Sequence, residues 1–225
     1  MKPFVVWVLT AVAVGLGGCA APGVAVRATF RDSQYSVLTE PLSWTLGDSA
    51  ITIHVPAGFV TDGASIPRFA QCIFPKYESY DAAAIIHDYV YWVQPSGCTK
   101  ANADALLELA MYESGVDIRT IDMFDRAVSS EFNSAWWGNR KEKSGGGIRF
   151  LARADWRAHD KDGKRVPNMN WPEYQKILKD LGVSDLKFDE TELATACSTV
   201  TTLPKWTEFK RKLDRFRMPD FLTVP

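Results

Sequence analysis

At "VPAGFVTDGASIPR", residues 55–68, the apolar residues stop recurring at every second position and begin to recur at helical spacing. Upstream, "SWTLGDSAITIHV" alternates, with Ile51, Ile53 and Val55 on one face and turn residues at Gly47-Asp48-Ser49, which predicts two strands joined as a hairpin. Downstream, "SYDAAAIIHDYVYWVQ" and "TKANADALLELAMYESG" carry helical periodicity and run to Pro95-Ser96-Gly97 and Gly115. "DIRTIDMFDRAVSSEFNSAWWGN" predicts a third helix from Asp117. Strands first and helices second is the pattern of an α+β fold, a small antiparallel β-sheet or hairpin followed by packed α-helices. "RKEKSGGGIRF" then interrupts the periodicity with charge and three glycines, which sets a boundary near residue 145. Residues 146–225 read as a mainly helical C-terminal extension, in which "KWTEFKRKLDRFRM" places Trp206, Phe209, Leu213 and Phe216 at helical spacing among basic residues. That aromatic stripe is expected to dock on the domain rather than to lie on lipid.

The N-terminus addresses the compartment. Lys2 precedes an apolar run from Phe4 to Leu16, too short for a comfortable span, and small residues lead to Cys19. Leu16-Gly17-Gly18-Cys19 resembles a bacterial lipobox, so residues 1–18 are expected to be a signal peptide and Cys19 the lipidated residue. Ala20 and Ala21 point to the outer membrane, with the protein facing the periplasm and its membrane partner reached through lipid on Cys19. The formal net charge of −1 provides no electrostatic case for nucleic acid. Three cysteines remain in this oxidising setting, and Cys72 with Cys98 is the expected disulfide, each near a predicted helix end.

Residues 19–145 hold the candidate chemistry. Asp62 leaves the second hairpin strand, Ser65 opens a short segment ahead of the helices, His87 and Asp88 share the first helix, and Asp104 lies on the next. Imidazole and carboxylates suit a divalent metal with open positions for an activated water, and His87, Asp62 and Asp104 form the expected metal or acid–base trio. Adjacent on one helix, His87 and Asp88 point about 100° apart, so one of them serves another purpose. A second reading makes Ser65 a nucleophile with His87 as base and Asp104 or Asp62 as its orienter. Against both stands a structural reading: Asp62-Gly63 is an ordinary turn pair, Ser65 a good helix cap, and His87 a core histidine bonded to Asp104 or Asp62 in a buried polar network.

Taken together, "VPAGFVTDGASIPR", "AAIIHDYVYW" and "KANADALLELAM" resemble, in order, the GF-x-T-D-x-A-S-I-P segment, the H-D-x-x-Y helix and the later aspartate of the DUF1353 family of bacterial and phage proteins, over roughly residues 42–138. The resemblance implies no named activity, and the family's occurrence in phage genomes points to cell-wall work. The combined expectation is an envelope lipoprotein acting as a periplasmic hydrolase through an Asp/His/Asp centre, with peptidoglycan or an envelope protein as partner. The alternative is a non-enzymatic binding or structural lipoprotein in which the same Asp/Ser/His/Asp residues are a buried network.

Overall fold

The structure is a computed structural model that describes residues 21–32, 34–63, 80–129, 135–152 and 169–218; Cys19, Ser65 and Cys72 lie outside them. The architecture is α+β. Strands β1 (Arg27–Thr29), β2 (Ser36–Leu38) and β5 (Val60–Thr61) form an antiparallel sheet in the order β1-β2-β5. Strands β3 (Leu42–Thr45) and β4 (Thr52–Val55) form the expected hairpin, with Trp44 opposite Ile53 and Leu42 opposite Val55. All four of these side chains are buried on one face, while Thr45 and Thr52 hydrogen-bond on the other at 2.9 Å. Period two in the sequence becomes one buried face because successive side chains in a strand alternate sides.

The helices follow. Helix α1 (Asp81–Val93) buries eleven of its thirteen residues, which is why its sequence is apolar almost all round: it is the central element of the core. Helix α2 (Lys100–Glu113) begins at a capping box in which the Thr99 hydroxyl accepts from the Asn102 amide and the Asn102 side chain accepts from the Thr99 amide. Helix α3 (Ile118–Ser129) packs on α2, and α4 (Ala135–Ser144) packs on α1. The sequence pattern placed the break at Arg140, but α4 runs on through "RKEKS" to Ser144. Long charged side chains are good helix formers, and the helix ends only where Gly145 and Gly146 begin.

Helices α5 (Trp171–Asp180), α6 (Thr191–Thr199) and α7 (Pro204–Arg217) come from the extension. They are not an appendage. Leu193, Ala196, Cys197, Phe209 and Leu213 sit in the same apolar cluster as the hairpin, α1 and α2, and Trp171, Tyr174 and Leu178 pack with Phe30, Val37 and Val60 of the three-stranded sheet. The docking expected for the aromatic stripe of α7 is met by Phe209 and Leu213, both fully buried.

The disulfide differs from expectation. Cys98 is bonded to Cys197, with Cα atoms 5.2 Å apart, and not to Cys72. Helix α6 packs against α2 and delivers Cys197 to the residue just ahead of the Thr99 cap. Proximity along the chain pointed to the cysteines flanking α1, whereas the pairing is decided by packing of an element ninety-nine residues further on.

Candidate functional site

Two polar clusters meet on α1, and the 100° step between neighbouring helical residues separates them. His87 turns towards α2, where its Nε2 lies 3.1 Å from Asp104 Oδ1. The Tyr91 hydroxyl, one helical turn on, donates to the same oxygen at 2.6 Å and stacks its ring 4.0 Å from the imidazole, centre to centre. Lys100, one turn before Asp104 on α2, donates to Oδ2 at 2.7 Å and also to the Val128 carbonyl at the end of α3. Asp104 is 5% exposed and His87 8%. Burial alone would raise the Asp104 carboxyl, but hydrogen bonds from His87, Lys100 and Tyr91 outweigh it and hold the group below the usual carboxylate range. Burial, and then the Asp104 charge, push the Tyr91 hydroxyl far up, so it stays a donor. Both carboxylate oxygens are engaged, and the cluster is closed.

Asp88 turns the other way, towards the strand end that carries the sequence motif. The Thr61 hydroxyl donates to Asp88 Oδ2 and accepts from the Gly63 amide at 2.9 Å. Asp62, 34% exposed at its side chain, lies against Asp88. Asp88 is raised well above the ordinary carboxyl range, first by burial, then by the Asp62 charge and by the hydrogen bond that its neutral form makes to Asp62; Thr61 and Arg149 act in the opposite sense. The Asp62 carboxyl beside it disfavours ionisation of Asp88, because a second charge there would set like charges side by side.

Arg149 closes this second cluster from the extension. Its guanidinium lies 5.4 Å from the ring centres of both Tyr35 and Trp92, 4.0 Å from Asp62 and 3.6 Å from Glu142. Its Nε is buried and makes no hydrogen bond among the described residues. The backbone that carries it is pinned on both sides: Asp185 accepts from the amides of Arg149 and Phe150 and from the Trp92 indole, and Gly58 accepts from Leu151 at 2.9 Å. Gly58 has φ +92°, and a Cβ there would stand 2.1 Å from the Leu151 carbonyl oxygen. The glycine of the motif is therefore a close-approach glycine.

The expected Asp62, His87 and Asp104 trio is thus divided: His87 meets Asp104, and Asp62 meets Asp88. Among the described residues, no three His, Cys, Asp or Glu side chains are placed to hold a metal ion, which corrects the expected metal site. The physical reason is visible at Asp104, where the Lys100 ammonium and two further hydrogen bonds occupy the oxygens that a cation would need. Ser65 lies outside the described residues. Tyr91 and Lys100 were legible as partners at helical spacing four from His87 and Asp104. Arg149 carried no signal, since its approach depends on packing of the extension.

Comparison with protein families gives one result: residues 37–128 match the model of DUF1353, a protein of unknown function. The matched stretch is similar to DUF1353 and covers less than half of the chain. No curated protein and no solved structure matches the chain. The matched stretch contributes Thr61, Asp62, His87, Asp88, Tyr91, Lys100 and Asp104, whereas Arg149, Asp185 and Cys197 come from beyond it.

Proposed function

We propose that this protein is an envelope lipoprotein, anchored through Cys19 in the outer membrane and facing the periplasm, and that its Asp62–Asp88 pair is the acid–base centre of a cell-wall hydrolase. The observation that carries the reading is the pair itself: a carboxyl that burial raises well above the ordinary carboxyl range, beside a second carboxyl that is one-third exposed. With the proton affinity of Asp88 raised in this way, Asp88 can return a proton to a leaving group while Asp62 takes one from a water molecule. Carboxyls in direct hydrogen-bond contact are too close to flank a sugar ring, since glycosidases of either stereochemical class keep theirs at least about 5 Å apart. The chemistry favoured is therefore hydrolysis of an amide bond, as in the peptide part of peptidoglycan. Arg149 is a positioning residue that limits how far the Asp88 carboxyl rises.

Export is supported by the Cys98–Cys197 disulfide, a bond that persists in an oxidising compartment. Among the described residues no helix is long and apolar enough to cross a membrane. The His87 cluster supports a structural role for its own members: it is buried, closed and satisfied.

The test incubates purified protein with intact peptidoglycan and analyses released fragments by mass spectrometry. The reading expects cleaved stem peptides, lost in Asp62→Asn and Asp88→Asn while both variants keep their fold. It fails if the wild type releases nothing across the pH range, or if Asp62→Asn cleaves at the wild-type rate. Anchoring is checked by metabolic labelling with a fatty acid, which Cys19→Ala should abolish.

A further inference from the structure

A cavity whose lining includes neither Asp62 nor Asp88 lies where the hairpin meets the extension. It measures about 320 Å³, at the lower end of the size of small-molecule pockets. Its floor is apolar, built from Ile53 and Val55 of β4, Leu193 of α6 and Phe188. Tyr89 of α1 also lines it. That side chain is 95% buried, with 5% exposure, yet its hydroxyl makes no hydrogen bond among the described residues. The rim is acidic: Asp189 and Glu192 line the opening, and Glu190 stands between them in sequence. Asp189 Oδ1 is engaged by Thr191 at the start of α6, but the Glu192 carboxylate is largely exposed, with the His54 ring 3.8 Å from it. Burial pushes the Tyr89 hydroxyl up to about 12, and the charges of Glu190 and Glu192 add to that shift, so the negative field of the rim reaches the pocket.

We propose that this pocket binds a primary ammonium carried on a short apolar chain, the chemistry of a lysine side chain. An ammonium has three N–H donors and no acceptor, which matches Glu192, Asp189 and the unpaired Tyr89 oxygen as acceptors. The attached methylenes cover Ile53, Val55 and Leu193, and the Phe188 and Tyr89 rings add attraction for a cation. An anion would meet the rim acids, and a neutral apolar ligand would leave the Tyr89 hydroxyl unpaired. The proposal does not depend on the hydrolase reading.

The test titrates n-hexylammonium into the full-length protein and follows the methyl resonances of Ile53 and Leu193 by NMR. Saturable shifts below about 10 mM are expected, with hexanoate and hexanol at least tenfold weaker. Glu192→Gln and Tyr89→Phe should each weaken hexylammonium binding by roughly tenfold while leaving the rest of the spectrum in place. Nα-acetyl-lysine amide distinguishes sources: equal affinity assigns the site to a peptide-borne lysine and weaker affinity to a free amine, both within the proposal. It is overturned if hexylammonium shows no saturable shift, if hexanoate or hexanol binds as tightly, or if neither variant changes the affinity.

Discussion

The two carboxylate clusters on α1 start one residue apart and end in opposite electrostatic states. Asp104 is the more completely surrounded, yet it is held ionised, because three donors converge on it. Asp88 is shifted the other way, first by burial and then by the acid beside it, Asp62, against which the Thr61 hydroxyl and Arg149 only partly act. Burial acts on both groups in the same direction, so it is the partners that decide. The contrast separates a cluster whose carboxylate is fully engaged by donors from one in which a raised carboxyl lies beside a partly exposed one.

The difference can be broken most severely at Asp104. Asp104→Ala leaves the Lys100 ammonium, the Tyr91 hydroxyl and His87 without their acceptor in a buried setting, and the expected loss is about 3–5 kcal/mol in urea unfolding. Asp104→Asn should recover part of this, since the amide oxygen still accepts. A loss under about 1 kcal/mol for the alanine variant would mean that the cluster does not hold α1 to α2.

Stability against pH sharpens the comparison. The Asp104 carboxyl is lowered in the folded state, so its contribution is present above the unfolded carboxyl value and is lost as pH falls through the folded one. For Asp88 the sign reverses. Its folded value is raised, the native state binds the proton that the unfolded chain would release, and stability declines as pH climbs above the ordinary carboxyl range. A third buried acid, Glu108 on α2, is pushed up to about 8 by burial and by Asp125, and contributes a decline of the same sign up to about pH 8. Melting temperatures recorded from about pH 2 to about pH 9 should therefore flatten on the alkaline side in Asp88→Asn, and separately in Glu108→Gln, whereas Asp104→Asn should remove part of the acid-side loss. If Asp88→Asn follows the wild-type curve, the upward shift of Asp88 is refuted.

The smallest expected effect lies at Arg149. Its charge acts to lower Asp88, so Arg149→Met should move the titration of Asp88, read by carboxyl ¹³C NMR, upward, and Arg149→Lys should keep part of the influence but lose the stacking between Tyr35 and Trp92. An unchanged Asp88 titration in the methionine variant would remove Arg149 from the site.

Much of this organisation was legible from residue order. The switch from period two to helical period located the hairpin and α1 and α2, and the adjacency of His87 and Asp88 announced that they would serve different partners. Their partners were harder to assign. Asp62 could have met His87 or Asp88, and the outcome rests on how β5 meets α1, a matter of packing that no local pattern encodes. The same limit explains Arg149 and Cys197, both delivered by the extension to positions defined only once the core has closed. The end of α4 was missed for a local reason: a charged run was read as loop, although its side chains favour helix.

The Cys98–Cys197 bond also changes what cutting the chain can do. Every peptide bond between those two cysteines lies inside a covalent ring, so a single cleavage there opens the ring without releasing a fragment. The two pieces remain one molecule, held by the sulfur bridge and by a core to which both contribute. Such a protein can carry a nick without shedding a fragment, and the nick shows on a gel only after reduction.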